Sequence, residues 1–365
     1  MKLKKAAAFL LFAVFLCLGV PSGAVPVWAE AAPASEETAQ ELPTPAEILA
    51  QEEPGPAEAS PPAAEVTPSP TPPPTATPVP TEPPPTATPV PTEPPPTATP
   101  APTEPPPTAE PSAVTVLSTT ITSESPLDND TAYAIDVEAF LAQPPALALP
   151  AEGYQILIIH THGTEAYTPA GTDVYEASEA YRTTDTRQSV VRVGEALAEA
   201  LRAYGLNVLH DEGLYDYPSY TSSYVRSGQA IEEYLAAYPG IVLVIDLHRD
   251  ALGDGDTIYK TVAQTEEAPA AQIMFVMGSD ENLEHPCWQE NLSLALMLQN
   301  AAAQRYPYLM RPTNLCAYRY NQQLTAGSLL MEVGATGNTL QEAITAVQLF
   351  ADAVGPILAA AVAPA

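Results

Sequence analysis

The chain has 365 residues, 43 of them proline, and a formal charge of -31 with only 13 lysines and arginines. Each proline fixes φ and removes a backbone donor, so this many cannot sit inside one globular domain and must be concentrated elsewhere. The acidic balance, without a basic stripe, argues against nucleic acid as a partner, and an anionic polymer would have to be recognised by local geometry rather than by a long-range field.

Met1-Lys-Leu-Lys-Lys5 is a basic start, and Ala6 to Val20 is apolar throughout. Pro21, Ser22 and Gly23 break the run, and Ala29 offers a small residue for cleavage. That order describes a secretory signal over residues 1–29, or an uncleaved anchor. The run is about fifteen residues, shorter than the roughly twenty a spanning helix needs. The protein is therefore expected to be exported, to the cell wall or the outer face of the cytoplasmic membrane. Membrane contact is expected only through this segment.

Residues 30–113 read as a disordered linker. Pro-Pro-Pro-Thr-Ala-Thr-Pro starts at Pro72, Pro83 and Pro94, and in altered form at Pro105, with a period of 11. No apolar face is present to bury, so the repeat is not a solenoid. It reads as a polyproline II stalk. At ~3.1 Å per residue, Ser69 to Ser112 would reach on the order of 140 Å.

Residues 114–365 form the expected folded domain. Val114-Thr-Val116 and Thr119-Thr-Ile-Thr122 look strand-like. Ile156–Ile159, Ile241–Ile245 and Ile273–Val276 are continuous apolar runs, the pattern of strands buried on both faces. Asn207–His210 and Leu329–Met331 are further strand candidates. Val190, Val193, Leu197 and Leu201 make one helical stripe. Ile231, Tyr234, Leu235 and Tyr238 make another, stopped by Pro239-Gly240. Trp288, Leu292, Ala295 and Leu296 mark a long helix. Thr339 and Glu342 form a capping box ahead of a last helix through Leu340, Ile344 and Val347. Strands alternating with helices predict an α/β fold with a mostly parallel sheet flanked by helices. Cys287 and Cys316 are read as unpaired thiols, and the cysteine count is too low for a disulfide framework.

In such sheets ligands sit at the carboxyl ends of strands. Three strand ends carry chemistry here: His160-Thr-His162-Gly-Thr-Glu165, Asp246-Leu-His248-Arg249-Asp250, and Met331-Glu332-Val333-Gly334. Two histidines and one glutamate suit catalytic zinc, which keeps one position open. A further carboxylate, Glu332, is placed to act as the base that takes a proton from the attacking water. His210 and His285 are read as structural. There is no Gly-x-Ser-x-Gly elbow. His285-Pro-Cys287 is adjacent in sequence, whereas a catalytic pair needs opposition from separate elements. Gly253-Asp-Gly-Asp256 lacks the remaining calcium-ligand spacing and reads as a turn.

These residues resemble a known family, stage II sporulation protein P. The resemblance rests on Ile158-Ile-His-Thr-His-Gly-Thr-Glu-Ala-Tyr167 and on Asp246-Leu-His-Arg-Asp-Ala251. Supporting it are Val190–Gly194, Asp216–Tyr220, Ser223–Ser227 and Leu330–Gly334. It covers roughly Asn129 to Val354. It implies a zinc amidase-like domain that cleaves N-acetylmuramoyl-L-alanine bonds of peptidoglycan, with endopeptidase activity as well, during engulfment in sporulation. It also implies a partner, the lytic transglycosylase stage II sporulation protein D. By resemblance, His160 or His162, Glu165 and His248 would hold Zn²⁺, and Glu332 would be the base. Arg249 would polarise the scissile carbonyl or bind a stem-peptide carboxylate. The family commonly has Thr at the position of Gly163. In the wider amidase group the acidic ligand lies further along, where this chain offers Glu176, Glu179 or Asp185. Two other readings are a catalytically silent peptidoglycan-binding module and a stalked surface-display protein.

Overall fold

The computed structural model describes residues 114–364, apart from 255, 256, 264, 266 and 267. The expected signal or anchor (1–29) and the proline-rich stalk (30–113) lie outside the described residues, as does part of the turn at Gly253.

The elements in chain order are β1 (Thr115–Thr119), β2 (Leu127–Asn129), α1 (Val137–Ala142), β3 (Ile156–Ile159), α2 (Val190–Arg202), β4 (Val208–His210), α3 (Ser223–Ala237), β5 (Leu243–Asp250), β6 (Gly253–Asp254), β7 (Thr257–Ala263), β8 (Ala270–Ala271), β9 (Ile273–Gly278), α4 (Trp288–Arg305), β10 (Thr313–Cys316), β11 (Ser328–Ala335) and α5 (Leu340–Ala360). The protein is an α/β fold, with its main sheet flanked by helices.

That sheet has seven strands in the order β2-β10-β9-β11-β5-β3-β4. From β11 through β4 all pairs are parallel. β9 joins β11 antiparallel, and β10 and β2 then follow β9 in parallel. The sheet is thus two parallel blocks meeting at one antiparallel seam. A smaller sheet is built on β7, which pairs with β1, β6 and β8. The run Thr119–Thr122 is not a separate strand. β1 ends at Thr119, and Thr120 and Ile121 are tied by hydrogen bonds to Val262 and Gln272.

The side chains of β3 alternate between two cores. Ile156 and Ile158 join Val190, Val193, Leu197 and Leu201 of α2, and Phe350 and Val354 of α5. Leu157 and Ile159 join Val244 and Ile231 on the α3 side. Every residue of β3 is buried, which its uninterrupted apolar run dictates. The capping box forms: Thr339 Oγ1 accepts from Glu342 N–H at 3.2 Å, and Glu342 Oε2 accepts from Thr339 N–H at 3.0 Å. α5 is long and apolar enough to cross a membrane by length and composition. Its Ala343, Val347, Phe350 and Val354 lie in the core, and its apolar character serves that packing. Cys287 and Cys316 are both free.

Candidate metal centre

The alternation also decides which histidine goes where. His160 continues the series of Ile156 and Ile158 and so faces α2. Its Nδ1 donates to the Leu247 carbonyl at 2.9 Å, and its Nε2 lies 2.9 Å from His210 Nε2. With Nδ1 as donor, His160 Nε2 accepts and His210 donates. A Cβ on Gly194 of α2 would fall 2.5 Å from the His160 ring and 2.8 Å from His210, so glycine makes the room for this pair. His160 is therefore occupied on the opposite side from Glu165 and His248, and the structure does not bring it into their group.

After Ile159 the chain turns, and Asp246 holds the turn. Its carboxylate accepts from Thr161 N–H at 2.8 Å and from Thr161 Oγ1 at 2.7 Å. The turn carries His162 over to the α3 side. Here His162, Glu165 and His248 converge, all buried, each offering one ligand atom within 4.8 Å of the others. His162 Nδ1 lies 3.8 Å from Glu165 Oε1, and His248 Nδ1 lies 3.5 Å from Glu165 Oε2. The remaining nitrogens face fixed oxygens: His162 Nε2 is 3.1 Å from Ser223 Oγ, and His248 Nε2 is 2.9 Å from Asp246 Oδ1. A carboxylate or hydroxyl behind each imidazole is the usual way a metal-binding histidine is oriented.

Gly163 belongs to the same turn. A Cβ there would meet Gly213 O at 2.7 Å and Leu214 Cδ2 at 2.9 Å. The departure from threonine thus goes with a close approach of the Gly213–Leu214 segment. Of the alternative acids, Glu176 and Glu179 are exposed, and Asp185 pairs with Arg187 at 2.8 Å. Glu165 is the one that meets the histidines.

His248 and Glu332 do not sit beyond strand ends as expected. β5 and β11 are each eight residues long and contain them. Glu332 stands directly beside His248 in the parallel ladder and shares its face. Its Oε2 is buried and has no hydrogen-bond partner among the described residues. Arg249, one residue on, points to the other face. Its guanidinium donates to the carbonyls of Ala166 at 2.9 Å and Tyr181 at 3.1 Å, and its backbone N–H donates to Glu165 Oε2 at 3.1 Å. Arg249, expected to meet substrate, is instead spent on clamping the Glu165 loop.

Charge follows this geometry. Burial holds His162 down at about 3, so its imidazole is neutral, as a ligand must be. Burial also opposes charge on His248, but Asp246 and Glu165 outweigh it and raise it well above the ordinary histidine value. Glu165 resists its own burial because His248, Arg249 and His162 favour its anion. Glu332 is pushed up to about 8. Burial is the main cause and Asp250 and Glu165 add to it, while His248 and Arg311 oppose.

Sequence reasoning missed several residues. Asp246 was within reach, since two residues apart on a strand means one shared face with His248. Ser223, Arg182 and Asp216 were not. Arg182 Nη1 pairs with Asp216 at 2.5 Å, and its Nη2 lies 3.6 Å from Glu165 Oε1. These contacts are made by loops whose meeting no local pattern announces.

Fold and site together define an α/β protein with a buried candidate metal centre toward the carboxyl ends of its parallel strands. The chain belongs to the stage II sporulation protein P family, whose model matches residues 108–355. It is 28% identical over 215 residues to stage II sporulation protein P of Bacillus subtilis (strain 168), covering 54% of this chain and 49% of that protein. The chain thus spans about half the length of the curated relative it matches. Among solved structures it resembles the N-acetylmuramoyl-L-alanine amidase AmiC2 of Nostoc punctiforme, with 11% identity, TM-score 0.31, and coverage of 56% of this chain and 94% of that one. It also resembles the amidase Ami1 from Mycobacterium smegmatis, with 13% identity, TM-score 0.33, and coverage of 57% and 96%.

Proposed function

We propose that this protein is an exported, zinc-dependent peptidoglycan hydrolase that cleaves N-acetylmuramoyl-L-alanine amide bonds in sporulation, with endopeptidase cleavage as a second activity. The observation that carries this reading is the buried His162–Glu165–His248 group with the unpartnered carboxyl of Glu332 beside it. The choice of bond, the engulfment setting and stage II sporulation protein D as partner rest on the family.

The donor set fits zinc: two imidazoles and a carboxylate, each backed by a second group, in a buried site. Zinc bound there would polarise the scissile carbonyl and acidify the attacking water. His162 and His248 would hold it through Nδ1, and Glu165 through a carboxylate oxygen. Asp246 and Glu165 favour the protonated form of His248, so zinc binding there would compete with a proton. The added positive charge would favour the Glu332 anion. As a carboxylate, Glu332 accepts the proton of the attacking water and returns it to the departing amine. Ser223, Asp246 and the Arg249 backbone keep the three ligands in place throughout.

The test pairs metal content with muropeptide products. His162→Ala and His248→Ala are expected to lose both zinc and cleavage. Glu332→Gln is expected to keep zinc while its rate falls about 10²- to 10⁴-fold. Full cleavage by either histidine variant, or by metal-free protein, would overturn the reading. Zinc binding and sacculus binding without any cleavage would favour the silent wall-binding module.

A further inference from the structure

β1 is an edge strand. Among the described residues its one ladder runs parallel to β7, from Thr115 beside Thr257 to Thr119 beside Thr261, and β7 has β6 on its other side. The outward amides and carbonyls of β1 thus have no strand to pair with among those residues. An open ladder of this kind recruits an extended chain, and edges are normally guarded by a charge, a proline or a bulge. This edge has no such guard in its sequence. Val114-Thr-Val-Leu-Ser-Thr-Thr-Ile-Thr122 holds no charged residue, proline or glycine. It also shows aliphatic side chains to water. Val114 and Val116 are each 40% exposed, and Leu117 is 43% exposed. Successive residues point to opposite faces, so the two valines lie on one face and Leu117 on the other.

The valine face leads into an open cleft of about 350 Å³. Ser118 and Thr120 line it from the β1 side, Lys260 and Val262 from β7, with Pro269 and Glu342 beyond. Ser118 stands beside Lys260 in the ladder, which places the cleft on the same face as Val116. Lys260 Nζ and Glu342 Oε1 are 2.6 Å apart, so their charges offset each other. Val262, Pro269 and two short hydroxyl side chains are left to receive an apolar group.

A second β1 fits both the edge and the cleft. Two-fold pairing of a strand with itself is antiparallel and keeps like faces together. Set about Leu117, it places Val116 of each copy opposite Ser118 of the other, and Val114 opposite Thr120, on the cleft face. The two Leu117 side chains meet on the opposite face. One symmetric contact then covers all three exposed aliphatic side chains in both copies. The strand carries no charge, so the ladder brings no like charges together although the chain as a whole has a charge of -31. The segment that precedes β1 in the same chain is a poor substitute. Proline recurs every few residues from Pro70 to Pro111, and each lacks the N–H that a ladder needs.

We propose that β1 is a self-association edge, through which two copies of this chain form a dimer by antiparallel β1–β1 pairing about Leu117. The contact is short, so the dimer is expected to be reversible. The test is sedimentation of the full chain over a range of concentrations. The wild-type mass should double as concentration rises. Leu117→Lys and Leu117→Glu should each stay monomeric, because like charges then face each other across the two-fold. Both should melt with the wild type, since Leu117 is exposed in the single chain. An equimolar mixture of the two variants should regain the doubled mass, with Lys beside Glu in a heterodimer. That recovery separates loss of the contact from loss of the fold. A wild-type chain that is monomeric at every concentration overturns the proposal. So does a doubled mass that survives in either variant alone, or a mixture that stays monomeric.

Discussion

At the scale of single residues, the candidate centre is made as much by what stands behind the ligands as by the ligands. Asp246 is the clearest case, because it holds both the Thr161 turn that delivers His162 and the far nitrogen of His248. Asp246→Asn keeps the shape but removes the charge that orients both. Zinc affinity is expected to fall about 10- to 100-fold, the usual effect of losing such a partner, as measured by chelator competition. An unchanged affinity would show that Asp246 only supports the turn. Much of this was legible. His162, Glu165, His248 and Glu332 all stand out as chemistry-bearing types near buried strands. What could not be read was the choice between His160 and His162, because it depends on where β3 stops and the chain turns. Arg249 is a related case. Its position on the far face follows only once β5 is known to continue through Asp250.

Elements impose their own chemistry. The His160–His210 pair is a partly buried polar joint between β3, β4 and α2, with His160 buried and His210 half-buried, and it is made of two neutral rings. Burial lowers His160 to about 3, with His210 adding to the effect, and lowers His210 to about 4. Both lie below the ordinary histidine value near 6.5, so the unfolded chain takes up these protons first. Stability from this joint is complete above about pH 6.5 and is lost progressively as pH falls toward 4 and then 3. A melting-temperature series from pH 7 to 4 should show this loss, and a variant with both residues replaced by Gln should show a flatter profile. A wild-type profile equally flat would refute the assignment. The parallel core strands β3, β5 and β11 were recognisable because burial on both faces demands continuous apolar sequence. β2, β6, β8 and β10 were missed, being two to four residues long with no period to read, and the seven-residue β7 was missed as well. The antiparallel seam at β9 has no sequence mark either, since a continuously apolar strand looks alike in both directions.

For the whole molecule, the first described strand is held to the rest by hydrogen bonds. β1 pairs with β7 from Thr115 to Thr119, and Thr120 and Ile121 continue the attachment through side chains. A chain beginning at Val114 is expected to melt with the full-length protein. One beginning at Ser123 strips β7 of its neighbour and should melt several degrees lower in calorimetry. Equal melting of the two would mean that β1 adds nothing to the fold.

The pairing of Glu332 with His248 across one ladder step has a consequence for how the protein would age and recover. The proposed base and the proposed ligand stand opposite each other on adjacent strands, spaced by backbone hydrogen bonds that a chelator does not touch. Stripping the ion should therefore leave the working distances stored in the sheet. Cleavage is expected to return on adding zinc as fast as mixing allows, with no lag and no hysteresis between successive cycles. A slow recovery phase in stopped-flow measurements would show that the sheet does not keep this memory by itself.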